Sequence, residues 1–495
     1  MSVVYPHLHF VILCNEPSET LWPLTRGSSP RDLLVLSGDD SSLISRLVEA
    51  ALPLCDTPIH VVCSSERLDV YRAHLLAPAS DEQAGGTGDE QPDQGGFPTD
   101  RIDFITVPTH RGDTFALALV VSYLRRIDPE AMVIALRSGI HFTADEIWEG
   151  AVARLYQTAS ENEIALLGRH LVDADARTHG QLMRSGAALD AATDVYRCVS
   201  YHEDAGDAPG MRADDPRTYQ FCGISAMRAT FMLSELHEMR DDRNAGAGSA
   251  LDGARIAEMA GFLASLGREY WSQPDAREVI ANLPDLPIGK SLFEPSQHVA
   301  VVETSLDWTD ITSLSSLAAL APSDAQGNTL FGHAMAPGSH DTTVFGGRRL
   351  VVACGLDDAV VVDTPDVTLV ASAEQLADSE TWFSDLEAKG LPELEHGPVS
   401  QRSWGTIETL HEEDAYSIVR LEVVPGRTTP FQTSSGISEQ LTAVSGRGTL
   451  YLGDEMFRLA GRESHVAQPE TSWAVEADEG GRPLVVIVIR MKERQ

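Results

Sequence analysis

The chain has 495 residues, of which 43% are apolar, enough to bury several cores and to exclude a chain disordered throughout. Its 37 basic residues face 74 acidic ones, a formal charge of −37, so a grip on nucleic acid or on an anionic membrane surface is disfavoured from the start. Six cysteines without a Cys-x-x-Cys pair read as reduced thiols, and no apolar run approaches the roughly 18 residues of a membrane span, so we expect a cytoplasmic protein.

The first predicted element is a strand over the apolar run His9–Cys14, followed by a polar turn. Leu33–Leu36 is a further aliphatic run. Ser42–Leu54 carries Leu43, Leu47, Ala50 and Leu54 on one helical face, and Ile59–Cys63 returns to strand character, which together make a βαβ unit. His7 and His9 have a spacing that a metal on a strand can use, but with no third ligand nearby they are expected at the surface. Residues 77–97 are rich in Gly, Asp, Gln and Pro with almost nothing apolar, and are expected to form a disordered surface insert. Strands at Ile102–Val107, Ala131–Leu136, Ile164–Gly168 and Tyr196–Tyr201, with a helix at Thr114–Ile127, predict a doubly wound, mainly parallel α/β sheet. Helical patterns follow at Arg255–Leu266 and Asp275–Leu283. From about residue 327 short β runs alternate with turns (Phe345–Val352, Ala359–Asp363, Val367–Ala371), which suggests a small β module. After a helical bridge near Ser372–Lys389, residues 403–490 have the strand and turn rhythm of a β-sandwich or jelly roll.

Taken in order, several segments resemble one family, the long (type II) bacterial bifunctional mannose-1-phosphate guanylyltransferase/mannose-6-phosphate isomerase. The family's A-G-G-x-G-T-R-L-W-P-L-S-R loop and P-K-Q-F-L are matched by Cys14-Asn-Glu-Pro-Ser-Glu-Thr-Leu-Trp-Pro-Leu-Thr-Arg26 and Pro30-Arg-Asp-Leu-Leu34. Trp308–Ser313 is similar to W-S-D-V-G-S, Gly327–Ala371 tracks the family's G-N and L-V-A-x-G-L-x-D segments, and Trp404-Gly405 with VSGRGTLYLGDE looks like its cupin tail. The resemblance implies a Rossmann-like nucleotidyltransferase domain over 1–320, a β-rich linking module over 321–395 and a cupin over 396–495.

The residues that carry the family's chemistry are largely missing. The glycine loop lets main-chain N–H groups approach nucleotide phosphates, and its arginine neutralises the transferring phosphoryl group. Here Asn15, Glu16 and Ser18 hold the glycine positions and Thr20 the arginine position. At an effective dielectric near 20, a carboxylate such as Glu16 or Glu19 within about 4–5 Å of a phosphate charge costs on the order of 3–4 kcal/mol. The L-P-S-D-H strand end, whose aspartate holds Mg²⁺, reads Leu136-Arg-Ser-Gly-Ile140, so Gly139 stands where a metal ligand is implied. Tyr201-His202-Glu203 replaces E-K-P, and Gln220–Gly223 replaces W-N-S-G. In the cupin tail the metal-binding L-Q-M-H-H-H-R-x-E-H-W becomes Phe431–Leu441, with no histidine between His411 and His465; Glu439 survives, and Trp473 takes the place of the late histidine.

What remains is a short set of candidates. Arg26, Arg31 and Asp310 are the candidate catalytic residues, Asp310 being also the one candidate metal ligand, with Glu294 as a further matching acid. Leu21, Trp22, Arg26 and Arg111 are the candidate nucleotide contacts. The bland alternatives are a turn-capping role for Asp310, packing for Trp22 and a solvated loop for His110 and Arg111. We expect a non-catalytic relative of the family that acts through its surface on an active guanylyltransferase or another sugar-pathway enzyme, self-association also being compatible. No cofactor is expected, and no nucleic-acid or membrane partner. The competing readings are a divergent but active sugar-1-phosphate nucleotidyltransferase, which would use Mg²⁺, and a small-molecule binding protein.

Overall fold

A computed structural model describes residues 3–14, 21–26, 29–35, 41–76, 97–107, 112–171, 180–190, 194–203, 211, 215–238, 249–271, 273–347, 349–377, 379–394, 397–402, 404–479 and 482–492. The expected insert at 77–97 lies outside them apart from Phe97, as do the loop positions Asn15–Thr20 and the pair His110 and Arg111. The chain divides into two compact units. One gathers Met1–Glu16, Leu34–Leu68 and Thr99–Thr312; the other gathers Pro17–Leu33, Asp69–Pro98 and Ser313–Gln495.

In the first unit every side chain of β1 (Leu8–Leu13) is buried, as a central strand covered on both faces requires. The helix Leu43–Ala51 follows, capped by Ser42, which accepts the Ser45 N–H at its first turn. Then come β2 (Ile59–Ser64), β3 (Ile102–Val107), the helix Gly112–Ile127, β4 (Met132–Arg137) and β5 (Ile140–Phe142). The helix Glu146–Ser160 leads to β6 (Ile164–His170), β7 (Leu182–Asp190), β8 (Val195–His202), β9 (Thr218–Arg228), β10 (Val299–Glu303) and β11 (Trp308–Asp310). Among the described residues nine of these strands form one sheet in the order β3-β2-β1-β4-β9-β6-β10-β8-β7. The expected parallel pairing holds from β3 to β4 and between β6 and β10. Antiparallel β9 bridges the two parallel parts, and the β7–β8 hairpin curls back so that β7 also pairs with β9. The sheet is therefore mixed. The described part of the run, Leu33–Val35, is not a strand: Arg31–Leu33 is a single 3₁₀ turn and Val35 forms an isolated bridge with Ser42.

The surface assignment of His9 is corrected. It is 4% exposed, its Nε2 lies 3.2 Å from Asp128 and its Nδ1 3.1 Å from His60 Nε2. His60 in turn reaches Asp103, which Arg268 holds at 2.8 Å. His7, by contrast, is exposed beside Asp128.

In the second unit β12 (Thr329–Phe331), β14 (Thr343–Phe345) and β16 (Ala359–Asp363) stack in parallel register, closed by antiparallel β17 (Thr368–Ser372), while β13 (Ala334–Met335) pairs with β15 (Val351–Val352) on another side. This is a short coil of rungs. The buried Asn328 explains the Gly-Asn motif: its side chain donates to Ser339 O and accepts from Thr342 N, tying one rung to the next. Phe331 and Phe345 stack one rung apart at 4.5 Å. The bridge resolves into helices Ala373–Ala377 and Ser379–Glu387.

The remaining strands are β18 (Val399–Arg402), β19 (Gly405–Glu412), β20 (Tyr416–Val423), β21 (Ile437–Ser445), β22 (Arg447–Leu452), β23 (Glu455–Ala460), β24 (Ser464–Ala467), β25 (Trp473–Ala477) and β26 (Leu484–Lys492). They form, among the described residues, a six-stranded and a three-stranded sheet around a core that includes Leu421, Leu441, Leu450, Trp473 and Val488, the jelly roll that the alternation predicted.

Candidate functional site

In the sheet unit, parallel pairing of β1 with β4 matches Leu13 to Arg137, so both strands end together. Ligands of open α/β sheets bind at such carboxyl ends. Antiparallel β5 and β11 set Asp310 opposite Ile140, and Ile311 N donates to Gly139 O at 2.9 Å. Asp310 therefore adjoins the glycine.

The cation at this place is Arg137. Its Nη1 lies 3.3 Å from Asp310 Oδ2 and donates to Gln181 Oε1 at 3.3 Å, while Gln181 Nε2 donates to Glu203 Oε1 at 2.5 Å. Burial pushes the Glu203 carboxyl up, with Asp113 and Glu294 adding to it and Gln181 and Arg137 opposing. Burial, and then Glu203, hold the Tyr201 phenol well above its ordinary value. Gly289 is required here, because a Cβ would stand 1.7 Å from Glu203 Oε2 and 2.5 Å from the Tyr201 ring.

The other candidates belong to the second unit. Leu21 is fully buried, and Trp22 packs on Trp382 and edge-on to Phe383, with its Nε1 donating to Glu393 O at 3.0 Å. Arg26 is 3% exposed and grips Asp366 with both terminal nitrogens, at 2.6 and 3.2 Å. Arg31 is equally buried. Arg111 falls outside the described residues.

Inside the jelly roll Glu439 is 1% exposed. Its two oxygens accept from Trp473 Nε1 at 2.5 Å and Arg490 Nε at 2.9 Å. Arg490 Nη2 also donates to Gln432 Oε1 at 3.1 Å, and Gln432 exchanges both backbone hydrogen bonds with Trp473.

The metals implied by the resemblance do not fit these donor sets. Gly139 offers no side-chain oxygen and Asp310 already faces a guanidinium, while Glu439 faces an indole N–H and a second guanidinium. Among the described residues no three His, Cys, Asp or Glu side chains gather as metal ligands, and no helix is long and apolar enough to cross a membrane.

Sequence reasoning missed Arg137 and Gln181 and treated Glu203 only as a mismatch. Arg137 had a legible signal, since a charge appears two residues before the position where the resemblance implies an aspartate. Gln181 had none, because only the curl of the β7–β8 hairpin brings it there.

A sheet of this order followed by a rung module and a jelly roll defines a nucleotidyltransferase-like protein with a cupin tail. Residues 392–494 match the family model described as mannose-6-phosphate isomerase C-terminal. Mannose-1-phosphate guanylyltransferase of Escherichia coli is 24% identical over 92% of this chain and 90% of its own, and the alginate biosynthesis protein AlgA of Pseudomonas aeruginosa is 24% identical over 97% and 93%. The xanthan biosynthesis protein XanB of Xanthomonas campestris is 25% identical over 94% and 90%. A crystal structure described as mannose-1-phosphate geranyltransferase from Thermus thermophilus shares the fold, with a TM-score of 0.59 at 18% identity over 78% of this chain and all of that one. Over more than nine-tenths of its length the chain is thus similar to mannose-1-phosphate guanylyltransferases, and its tail to the mannose-6-phosphate isomerase C-terminal family.

Proposed function

We propose that this chain is a non-catalytic member of its family, a cytoplasmic regulatory or interaction subunit in sugar-nucleotide and exopolysaccharide metabolism. The names of its relatives supply that setting: a guanylyltransferase acting on mannose-1-phosphate, and proteins of alginate and xanthan biosynthesis. The observation that carries the reading is Gly139 beside Asp310. The strand pairing that would present two acids to a metal is intact, yet one acid is gone and the other faces Arg137. Phosphoryl transfer depends on charge neutralisation and positioning, and a single +1 group already engaged by a carboxylate is a poor substitute for Mg²⁺.

Arg26 supports the same reading, because a guanidinium bound at both terminal nitrogens to Asp366 would first have to leave it to meet a phosphate. A fold kept without its chemistry acts through its surface, so the partner is expected to be an active relative or another enzyme of the same pathway. The test is an assay with mannose-1-phosphate, GTP and Mg²⁺. Turnover below about 0.1 s⁻¹, a hundredth of a typical enzyme rate, is expected, and a rate above that rejects the reading. Co-purification with an active guanylyltransferase from the same cells, measured by mass spectrometry, is the matching positive result.

A further inference from the structure

The alternation that buries Leu441 and Ala443 on β21 also turns Glu439 inward, so a carboxylate lies on a core face. A charge withdrawn from water is tolerated only when it is paired and hydrogen-bonded. The counter-charge comes from the neighbouring strand. Arg490 on β26 stands directly opposite Glu439 in the antiparallel register, and its long stem lets the head lie at 32% exposure while Nε reaches the carboxylate. Trp473 and Gln432 complete a closed quartet drawn from separate segments of the jelly roll.

A second observation, in the other unit, has the same form. Asp310 is the acid that survives there, and its cation is Arg137, two residues before the position where the other acid is missing.

We infer that these two arginines are built-in replacements for the metal ions of the family, Arg490 for the ion of the cupin and Arg137 for that of the sheet. Each neutralises the one carboxylate left behind. A guanidinium differs from a divalent ion in ways that matter: it carries a single charge, is tethered to the fold, and takes no substrate oxygen as a ligand. Each unit therefore keeps its acid in place without metal, and loses the Lewis acid at the same time.

The test for the jelly roll is hydrogen exchange on the full chain, read at β21 and β26. Protection should be the same with and without EDTA. Arg490→Met should raise exchange by at least about tenfold, and Glu439→Gln combined with Arg490→Met should recover most of the loss, because the pair of neutral side chains no longer buries a lone charge. If Arg490→Met does not fold but the double variant does, the inference also stands. Protection that falls in EDTA, an Arg490→Met chain that behaves as wild type, or a double variant as damaged as the single one would each overturn it.

For the sheet, Mn²⁺ binding by electron paramagnetic resonance compares Gly139→Asp alone with Gly139→Asp plus Arg137→Ala. The double variant should bind Mn²⁺ at least about tenfold more tightly, since the tethered cation no longer competes for the two acids. Equal affinity, or no binding by the double variant, refutes the replacement at Arg137. An enzyme that turned over without metal would leave all these outcomes unchanged, so failure here and failure of the non-catalytic reading are separately visible.

Discussion

The two surviving acids sit in contrasting surroundings. Asp310 and Arg137 are each a little over one-fifth exposed and meet at 3.3 Å, whereas Glu439 is almost wholly buried and met at both oxygens. Partly exposed ion pairs contribute little to stability because water screens them and the side chains lose freedom, while a buried carboxylate is costly to leave without partners. The sheet unit is thus expected to tolerate loss of Asp310, and the jelly roll not to tolerate loss of Glu439. The same kind of pair, a carboxylate facing a guanidinium, is a lightly held surface contact in one half and a structural element in the other.

The largest test of that contrast is Glu439→Ala. It strands the Trp473 N–H and the Arg490 charge, and should cost about 2–4 kcal/mol, measured by urea unfolding followed through jelly-roll signals. A cost near zero would erase the distinction between the two halves.

Acidification comes next and should strike the sheet unit. Burial, and then His60, push the His9 pKa below its ordinary 6.5 against the opposing pull of Asp128. The unfolded chain therefore binds that proton more readily than the folded one, and stability should decline as pH falls below about 6.5. Asp103 is held below its ordinary value because the hydrogen bond from His60 and the charge of Arg268 outweigh its burial, and Asp128 is lowered in the same way by His7 and His9. Their contribution is present above pH 3.8 and is lost as pH falls through their lowered pKa values, so the decline should steepen there. His9→Gln should flatten the upper limb of the stability profile between pH 7 and about 5, while the lower limb loses only the share of the Asp128 lowering that His9 supplies and keeps those of His7 and Asp103.

The smallest effect is expected from Asp310→Asn. It should change sheet-unit stability by less than about 1 kcal/mol, measured by the same urea titration.

Much of this architecture was legible because its determinants are local. The six buried residues of β1, the capped helix after Ser42, and the alternation on β20 and β26 each announce their element without reference to the rest of the chain. That Gly139 stands where the resemblance implies an aspartate, and Ser434 where it implies a histidine, is likewise read from the sequence alone. What could not be read was partnership across the chain. Arg137 meets Gln181, and through it Glu203, only because β7 and β8 fold back onto β9, and Arg490 meets Glu439 through a strand register that no short window contains. His9 went wrong for a related reason: its surroundings are two neighbouring strands and Asp128 at the far end of a helix, none of them near in sequence.

The rung module has a consequence of a different kind. In β12, β14 and β16 residues 329, 343 and 360 stack in line, with Asn328 and the paired phenylalanines linking the first turn to the second and strand pairing linking the second to the third. Such a stack behaves as a one-dimensional array, to which a whole turn can be added or removed while its ends keep their own contacts. Each inserted turn would lengthen the module by one strand spacing, about 4.8 Å. The segment is a ruler, graded in rungs, and its length is a variable that insertion or deletion in the chain can set without redesigning either end.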